Sequence, residues 1–376
     1  MPTEQRSFPK GTLINCVMVL ALLANAGAAG AVDFGVVDSN APVPTLTVGA
    51  VDLRTTSGAS ADGIFRVAAA ADNSAVDEPP KAATTTEKVV KQVSYKPGPA
   101  DACKEYPAYA LRLGFDGPVY MSTNLRGYPG LVFIGQDKSG RRKLYQHPSW
   151  TKAGYLAAYV YDRAGNIYVG PSPLVSLWEN PPDEQNRIWK IGGQSQIMSP
   201  FASLPPGAPP SPQNPFGIMG LAYDCDIDSL YVTSVMGSTP DAEKGRVFRV
   251  DLETGESEVI NEGQDFFGVG ILNTRHEKRL YLGSARTSGV YSVALDGGGN
   301  PIGSPSLEFY LSNFPGGAND QVKRIDFTDD NLLKIKGISF HYTLTVASAY
   351  PHSEYVFKRD DSGGWQLLAV RRGLLH

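Results

Sequence analysis

Residues 106–376 predict an all-β chain folded as a β-propeller of five four-stranded blades, and three observations carry that expectation. A short form (apolar, Tyr or Thr, apolar, small, then small or Pro) recurs as "PVYMST" at Pro118–Thr123, "NIYVGP" at Asn166–Pro171, "SLYVTS" at Ser229–Ser234, "RLYLGS" at Arg279–Ser284 and "TLTVAS" at Thr343–Ser348. Each copy is followed by a second strand-like segment, in turn "GLVFIG", "RIWKIG", "RVFRVD", "GVYSVA" and "YVFKRD". No stretch of ordinary helix length with apolar residues at a 3.6-residue period interrupts the series.

Each element has its own reason. An apolar segment precedes each copy, and in the first three units it ends in Asp116, Asp162 or Asp224 just before a tight turn. A fourth strand follows a Gly-rich turn, as in "DKSG" then "RKLYQH", "ETGE" then "SEVI", and "DDSGG" then "WQLLAV". Four short antiparallel strands repeating at about 50 residues are the mark of propeller blades, because each unit exposes an apolar face that only a neighbour can cover. The blades are read at 106–152, 153–213, 214–264, 265–320 and 321–372. A sixth would need strands from the segment before residue 106.

That segment has a different composition. Arg6 and Lys10 precede the apolar run "TLINCVMVLALLA" and the small-residue tract "NAGAAGA", which ends at Ala31. This order predicts a signal peptide over residues 1–31 and a periplasmic or secreted protein with no membrane attachment after cleavage. The competing reading is an anchor, but the second half of the run is Ala and Gly and only weakly apolar. Residues 32–105 are rich in Ala, Thr, Ser, Asp and Pro and read as a low-complexity tether, mostly disordered, although "LTVGAVDL" and "GIFRVAA" have the look of short strands.

A net charge of -4 and a pI near 5.8 leave no basic excess for phosphates, which argues against nucleic acid as a partner. Removal of the leader would leave Cys103 and Cys225 in a compartment that permits a disulfide. In the meander Cys103 is expected near one face of the disc and Cys225 at the far end of a strand from Gly217 to Asp224, about 23 Å away at roughly 3.3 Å per residue. A disulfide needs Cα atoms within about 7 Å, so both thiols are expected to be free. A bond between them would count against this order of blades.

Alternating connections put short turns such as "DRAG" and "CDIDS" on one face of the disc. Long loops such as "NLRGYP", "SPLVSLWENPPDEQ", "VMGSTPDAEK" and "AYPHS" fall on the other. Long loops on a rigid scaffold are where binding concentrates. The expected ligand-binding residues there are Arg286, Phe216, Ser234, Asn124, Arg126, Trp178, Glu179, Tyr350 and His352, with Tyr128 beside them. Arg286 is the foremost, since it follows an inner strand directly and should point over the channel. The bland alternative for it is a salt bridge to a neighbouring blade's loop.

The run Asp224, Asp226, Asp228 looks like the start of a calcium loop. An EF-hand counted from Asp224 would need Gly at its sixth position and Glu at its twelfth, where this chain has Ser229 and Val235. The run is better read as a hairpin turn. No G-x-S-x-G elbow occurs, and the five histidines are scattered without metal-ligand spacing.

The order of a "PFGI" lead-in, an Asp-bearing turn and "LYV" resembles NHL-repeat propellers and, more narrowly, the gluconolactonase and strictosidine-synthase-like propellers. The resemblance implies a metal-ligating Asn after the Pro of the lead-in and an Asp after the "LYV" strand. This chain has Phe216 at the first place, repeats Phe at Phe267 in the next blade, and has Thr233–Ser234 and Gly283–Ser284 at the second. The expectation is therefore an exported propeller that binds a small molecule, a carbohydrate or a protein partner on its long-loop face, without catalysis and without a cofactor. The alternative is a divalent-metal hydrolase of lactonase or esterase type, holding Ca or Zn on a rearranged set of Glu179, Asn180 and Asn214.

Overall fold

The computed structural model describes residues 95–374 apart from 124, 126, 174–176, 344–350 and 361. The expected signal peptide, and the tether as far as residue 94, lie outside the described residues. Strand β1 (Gly98–Pro99) precedes five antiparallel sheets in chain order. Blade one holds β2 (Asp116–Ser122), β3 (Val132–Gln136) and β4 (Arg142–Tyr145). Blade two holds β5 (Leu156–Tyr161), β6 (Ile167–Pro171), β7 (Arg187–Ile191) and β8 (Met198–Ser203). Blade three holds β9 (Ile218–Asp224), β10 (Ser229–Ser234), β11 (Arg246–Asp251) and β12 (Ser257–Glu262). Blade four holds β13 (Phe266–Asn273), β14 (Lys278–Ser284), β15 (Gly289–Leu295) and β16 (Ser306–Tyr310). Blade five holds β17 (Gln321–Phe327), β18 (Leu333–Ile338), β19 (Pro351–Arg359) and β20 (Trp365–Leu374). The inner strands pack in series, β5 on β9, β9 on β13 and β13 on β17. The fold is a five-bladed β-propeller.

The tight turns repeat one device. Asp162 Oδ1 accepts the backbone N–H groups of Ala164 (2.9 Å) and Asn166 (2.8 Å). Asp137, Asp296 and Asp360 likewise each accept the N–H groups two and four residues on. An Asp that satisfies the turn's own donors explains why Asp ends so many strands.

Apolar layers between the sheets hold the blades together. Blades one and two share Tyr109, Phe133, Trp150 and Leu156, and blades two and three share Tyr168, Ile218, Leu221 and Phe248. Burying each such side chain contributes about 1.5–3 kcal/mol. Contact between blades is close enough to select residue size: a Cβ on Gly283 of β14 would lie 2.3 Å from Val322 of β17.

Burial is uneven around the ring. Every residue of β9 but Ala222, and all of β10 and β13, is buried, because blades three and four are covered on both faces. In β18 of blade five buried and more accessible residues alternate, and β2 of blade one is half-buried or exposed throughout.

Two units depart from the expected strand placement. The segment before Asp116 forms a 3-10 helix, Ala108–Leu113, and blade one has three hydrogen-bonded strands among the described residues. Tyr109 of that helix is buried against Phe133 and Trp150, so its apolar residues are used for packing rather than for a ladder. In blade five the second strand is Leu333–Ile338, which pairs with β17 and β19. The "TLTVAS" copy follows it in sequence and, from residue 344, lies outside the described residues.

The expectation of free thiols is overturned. Cys103 and Cys225 are disulfide-bonded with Cα atoms 6.0 Å apart. The chain before blade one does not approach from the long-loop side. It crosses the short-turn side, where Pro99 pairs with Leu272 and Gly98 with Asn273, and Ala100 O accepts the N–H of Cys225 (2.9 Å). The bond and the blade order coexist because both cysteines lie on one face.

Candidate functional site

The acidic run forms the hairpin turn between β9 and β10, with Asp228 at φ 50°. Its charge has a specific partner. Lys278, first residue of β14 in the next blade, places Nζ 2.6 Å from both Asp224 oxygens and 2.8 Å from Asp226 Oδ2. The Tyr95 ring lies 5.1 Å from the same nitrogen, and Asn273 Nδ2 donates to Asp226 Oδ2 (2.9 Å). The ammonium group is the cation that these carboxylates hold. Burial pushes the Asp224 carboxyl up, against the pull of Lys278. At Asp226 burial is outweighed by the bonds from Lys278 and Asn273, which hold its pKa below the usual value. Asp228 faces away, accepting from Tyr223 Oη and lying 3.6 Å from Arg163 Nε.

At the opposite end, the long-loop face, the inner strands converge on an aromatic cluster. Phe216, at the lead-in to β9, and Phe267, of β13, pack on Phe340 with ring centroids 5.3 and 5.0 Å apart. Tyr342 lies 5.1 Å from Phe340, and Met219, Val235, Ala285 and Ile338 complete the group.

A polar bracket borders this cluster. Asp265, buried just before β13, accepts from Tyr342 Oη (2.6 Å), Gly245 N (2.9 Å) and Ser238 Oγ. Arg286 donates to Asp265 Oδ2 (2.7 Å) and to the carbonyls of Pro240 (2.7 Å), Thr239 (2.6 Å) and Ala242 (3.0 Å). Its guanidinium carbon lies 4.9 Å from the Tyr342 ring centroid, and Glu243 Oε1 is 3.4 Å from Nε. Burial, then the bond to Asp265, raises the Tyr342 pKa. Arg286 thus closes the long loop of blade three onto blade four, the bland alternative raised for it. Sequence reasoning passed over Asp265, Phe340 and Tyr342. The signal available for Asp265 was a lone acid directly before a wholly apolar inner strand.

The other expected residues scatter. Ser234, opposite Ile218 in the β9–β10 ladder, is buried and donates to Asn186 Oδ1 (2.6 Å) toward blade two. Phe216 and Ser234 are thus neighbours across one hairpin, but they face different surroundings. Trp178 is 90% exposed on the long loop of blade two, beside exposed Glu179 and Leu177, and Tyr128 is 39% exposed on that of blade one. His352 lies on β19 with Nε2 3.7 Å from Glu354 Oε1, and burial beside Lys336 lowers its pKa. Asn124, Arg126 and Tyr350 lie outside the described residues.

Two of the three residues named for a rearranged metal site, Asn180 and Asn214, are engaged in hydrogen bonds to the backbone. Asn180 uses its oxygen to accept Tyr155 N (3.0 Å) and its nitrogen to donate to Ala153 O and Tyr155 O. Asn214 accepts from Phe216 N (2.9 Å) and donates to Val235 O (2.8 Å). Both side chains are spent on bracing loops, and a metal would have to displace those bonds. Phe216 and Phe267 cannot ligate a cation. Among the described residues no group of three or more His, Cys, Asp or Glu is gathered as a metal would need.

No protein-family model and no curated protein matches the chain. Solved structures similar to it include a nidogen in complex with laminin, at 9% identity over 65% of this chain and 95% of that one, with a TM-score of 0.39. A putative gluconolactonase is 10% identical over 73% and 99%, with a TM-score of 0.37. A GH43 β-1,3-galactosidase solved with galactodeoxynojirimycin is 9% identical over 64% and 85%, with a TM-score of 0.40. These likenesses are of general fold. The chain is a β-propeller on the strength of its own strand order and register.

Proposed function

We propose that this protein is an exported propeller that binds a carbohydrate or a protein partner through the rim of its long-loop face, without catalysis. The observation that carries the reading is the aromatic cluster of Phe216, Phe267 and Phe340, which occupies with packed rings the place where a metal-dependent relative would present ligands. Contact area is then left to the rim, where Trp178 is 90% exposed and Leu177 and Tyr128 are accessible. Aromatic side chains on adaptable loops are favoured anchors for such partners. Export is supported by the Cys103–Cys225 disulfide, a bond kept in oxidising compartments, and by the leader-like first 31 residues.

The test is binding of the full chain and of Trp178→Ala to glycan and peptide arrays. The reading expects at least one ligand class to be retained by the parent and weakened about tenfold or more by the substitution, with circular dichroism unchanged. Binding that Trp178→Ala leaves intact contradicts the rim as the site.

A further inference from the structure

No Asp, Glu, Lys, Arg or His occurs between Lys190 and Asp224. Part of this uncharged stretch, "LPPGAPPSPQNP", is the connection from β8 to β9 on the long-loop face. Leu204 and Asn214 are buried at its two ends, and between them Pro205, Pro206, Pro209, Pro210 and Pro212 are exposed. Each proline ring fixes φ at about −65°, and the residue before each is pushed to extended backbone. Contacts with blade three restrict the connection further. A Cβ on Gly207 would lie 1.8 Å from Lys244 O, and one on Gly237 would lie 2.4 Å from Ala208 O, so backbone rests directly on backbone. Arg246 Nη1 of the same blade donates to Pro206 O (3.0 Å). The result is a fixed, uncharged ridge of proline rings.

The same face carries Trp178, 90% exposed on the connection from β6 to β7. That loop is held as well, because Asn180, two residues on, is buried and bonded to Tyr155 N (3.0 Å) and Ala153 O (3.1 Å). The two connections are tied at their roots, where Asn186 O accepts Leu204 N (2.9 Å) and Gln185 O accepts Ile218 N (2.9 Å). An indole ring and a proline ridge are complementary: proline rings present apolar sides in a preset extended backbone, which is how Pro-rich segments dock on aromatic surfaces. At 90% exposure the indole is not packed on the ridge of its own chain. The flanking charges match too. Glu179 is exposed next to Trp178, and Lys244 is exposed beside Gly207.

We propose that the long-loop face is a self-association surface, on which Trp178 of one copy packs on the Pro205–Pro212 ridge of a second copy and the second returns the contact. A two-fold pair makes both contacts at once, since a single patch carries both parts. Glu179 of each copy then meets Lys244 of the other at the rim, and the centre is free of charge, as the cores of protein interfaces are. The proposal rests on the rim reading above and names its partner as a second copy of this chain.

Sedimentation equilibrium of the full chain across the micromolar range tests it, and the parent is expected to pass from monomer to dimer as concentration rises. Trp178→Ala and, separately, Pro209→Ser with Pro210→Ser are each expected to weaken the dimer about tenfold or more, with circular dichroism unchanged. A mixture of the two variants tests the pairing itself. Neither variant alone can make a complete contact, whereas one of each restores one contact of the two, the indole of the proline variant on the intact ridge of Trp178→Ala. The mixture should therefore associate more tightly than either component. A parent that stays monomeric throughout overturns the proposal, and so does a dimer that either variant leaves intact or a mixture no tighter than its components. The rim reading fails on a different result, array ligands that bind the parent and Trp178→Ala alike. Array binding that depends on Trp178 in a parent that stays monomeric leaves that reading standing and removes only the self-association.

Discussion

Lys278 and Asp224 form a bidentate ion pair across the blade three to blade four boundary, with both side chains no more than 1% exposed. A buried pair of this kind is costly to break from one side, because the survivor is left charged or must take up a proton. Lys278→Met is therefore expected to lower unfolding stability by about 3–5 kcal/mol in urea titration. Combining it with Asp224→Leu should recover much of the loss, since an apolar pair of similar volume carries no desolvation penalty. A single substitution costing under about 1 kcal/mol would mean that the pair is hydrated in solution.

The same cluster sets an acid limit. Asp226 has a folded-state pKa below its usual 3.8. A depressed carboxyl contributes stability that is fully present above its unfolded value and is lost as pH falls through the folded value. Thermal midpoints should thus fall as the pH drops below the usual carboxylate value of 3.8, and the Asp226→Asn variant should show a shallower fall there. Because the Asp226 side chain is 44% exposed, added salt should reduce the difference between the two proteins.

The disulfide joins residues 122 apart in sequence. Closing so long a loop in the unfolded chain stabilises the fold by about 2–4 kcal/mol. Cys103→Ser with Cys225→Ser should lower the thermal midpoint accordingly. A non-reducing peptide map of the parent should recover the two cysteines in one linked peptide, and two alkylated peptides would refute the path of residues 95–105 across the short-turn face.

Arg286 is expected to matter for stability rather than for affinity. Arg286→Ala leaves the buried Asp265 without its cation and frees three carbonyls of the blade-three loop, a loss of about 3 kcal/mol. Arg286→Lys keeps the charge but cannot present the same fork of donors, and it should recover only part of the loss. Array binding by Arg286→Lys below its unfolding temperature should match the parent. A selective loss of binding would return Arg286 to the ligand site.

Much of the architecture was legible because it is written in local, repeated terms. Asp162 and Asp224 before the tight turns of blades two and three, and the alternation in "SLYVTS" and "RVFRVD", are read from the residues themselves, and in blades two to four the strands stand where the repeated forms place them. What was not legible depended on packing across distance. Nothing local distinguishes a 3-10 helix over Ala108–Leu113 from a strand until Tyr109 finds Phe133 and Trp150. The path that brings Cys103 to Cys225 is set by two residues of β1 pairing with β13, too short a strand to leave a pattern. Arg286 was singled out by its position after an inner strand, but its six partners lie 21 to 56 residues away, too far apart for the sequence to associate. Lys278 drew no notice because a lysine opening a strand is ordinary until two carboxylates from the neighbouring blade meet it.

The central claim is that packed aromatic rings, and not a metal, occupy the long-loop end of the channel. Elemental analysis of the purified protein, paired with lactone and ester hydrolysis before and after EDTA, tests it most directly. The account predicts no calcium or zinc at stoichiometric level and no hydrolysis that EDTA changes. One equivalent of either metal, removed by EDTA together with a hydrolytic activity that the same metal restores, would contradict it.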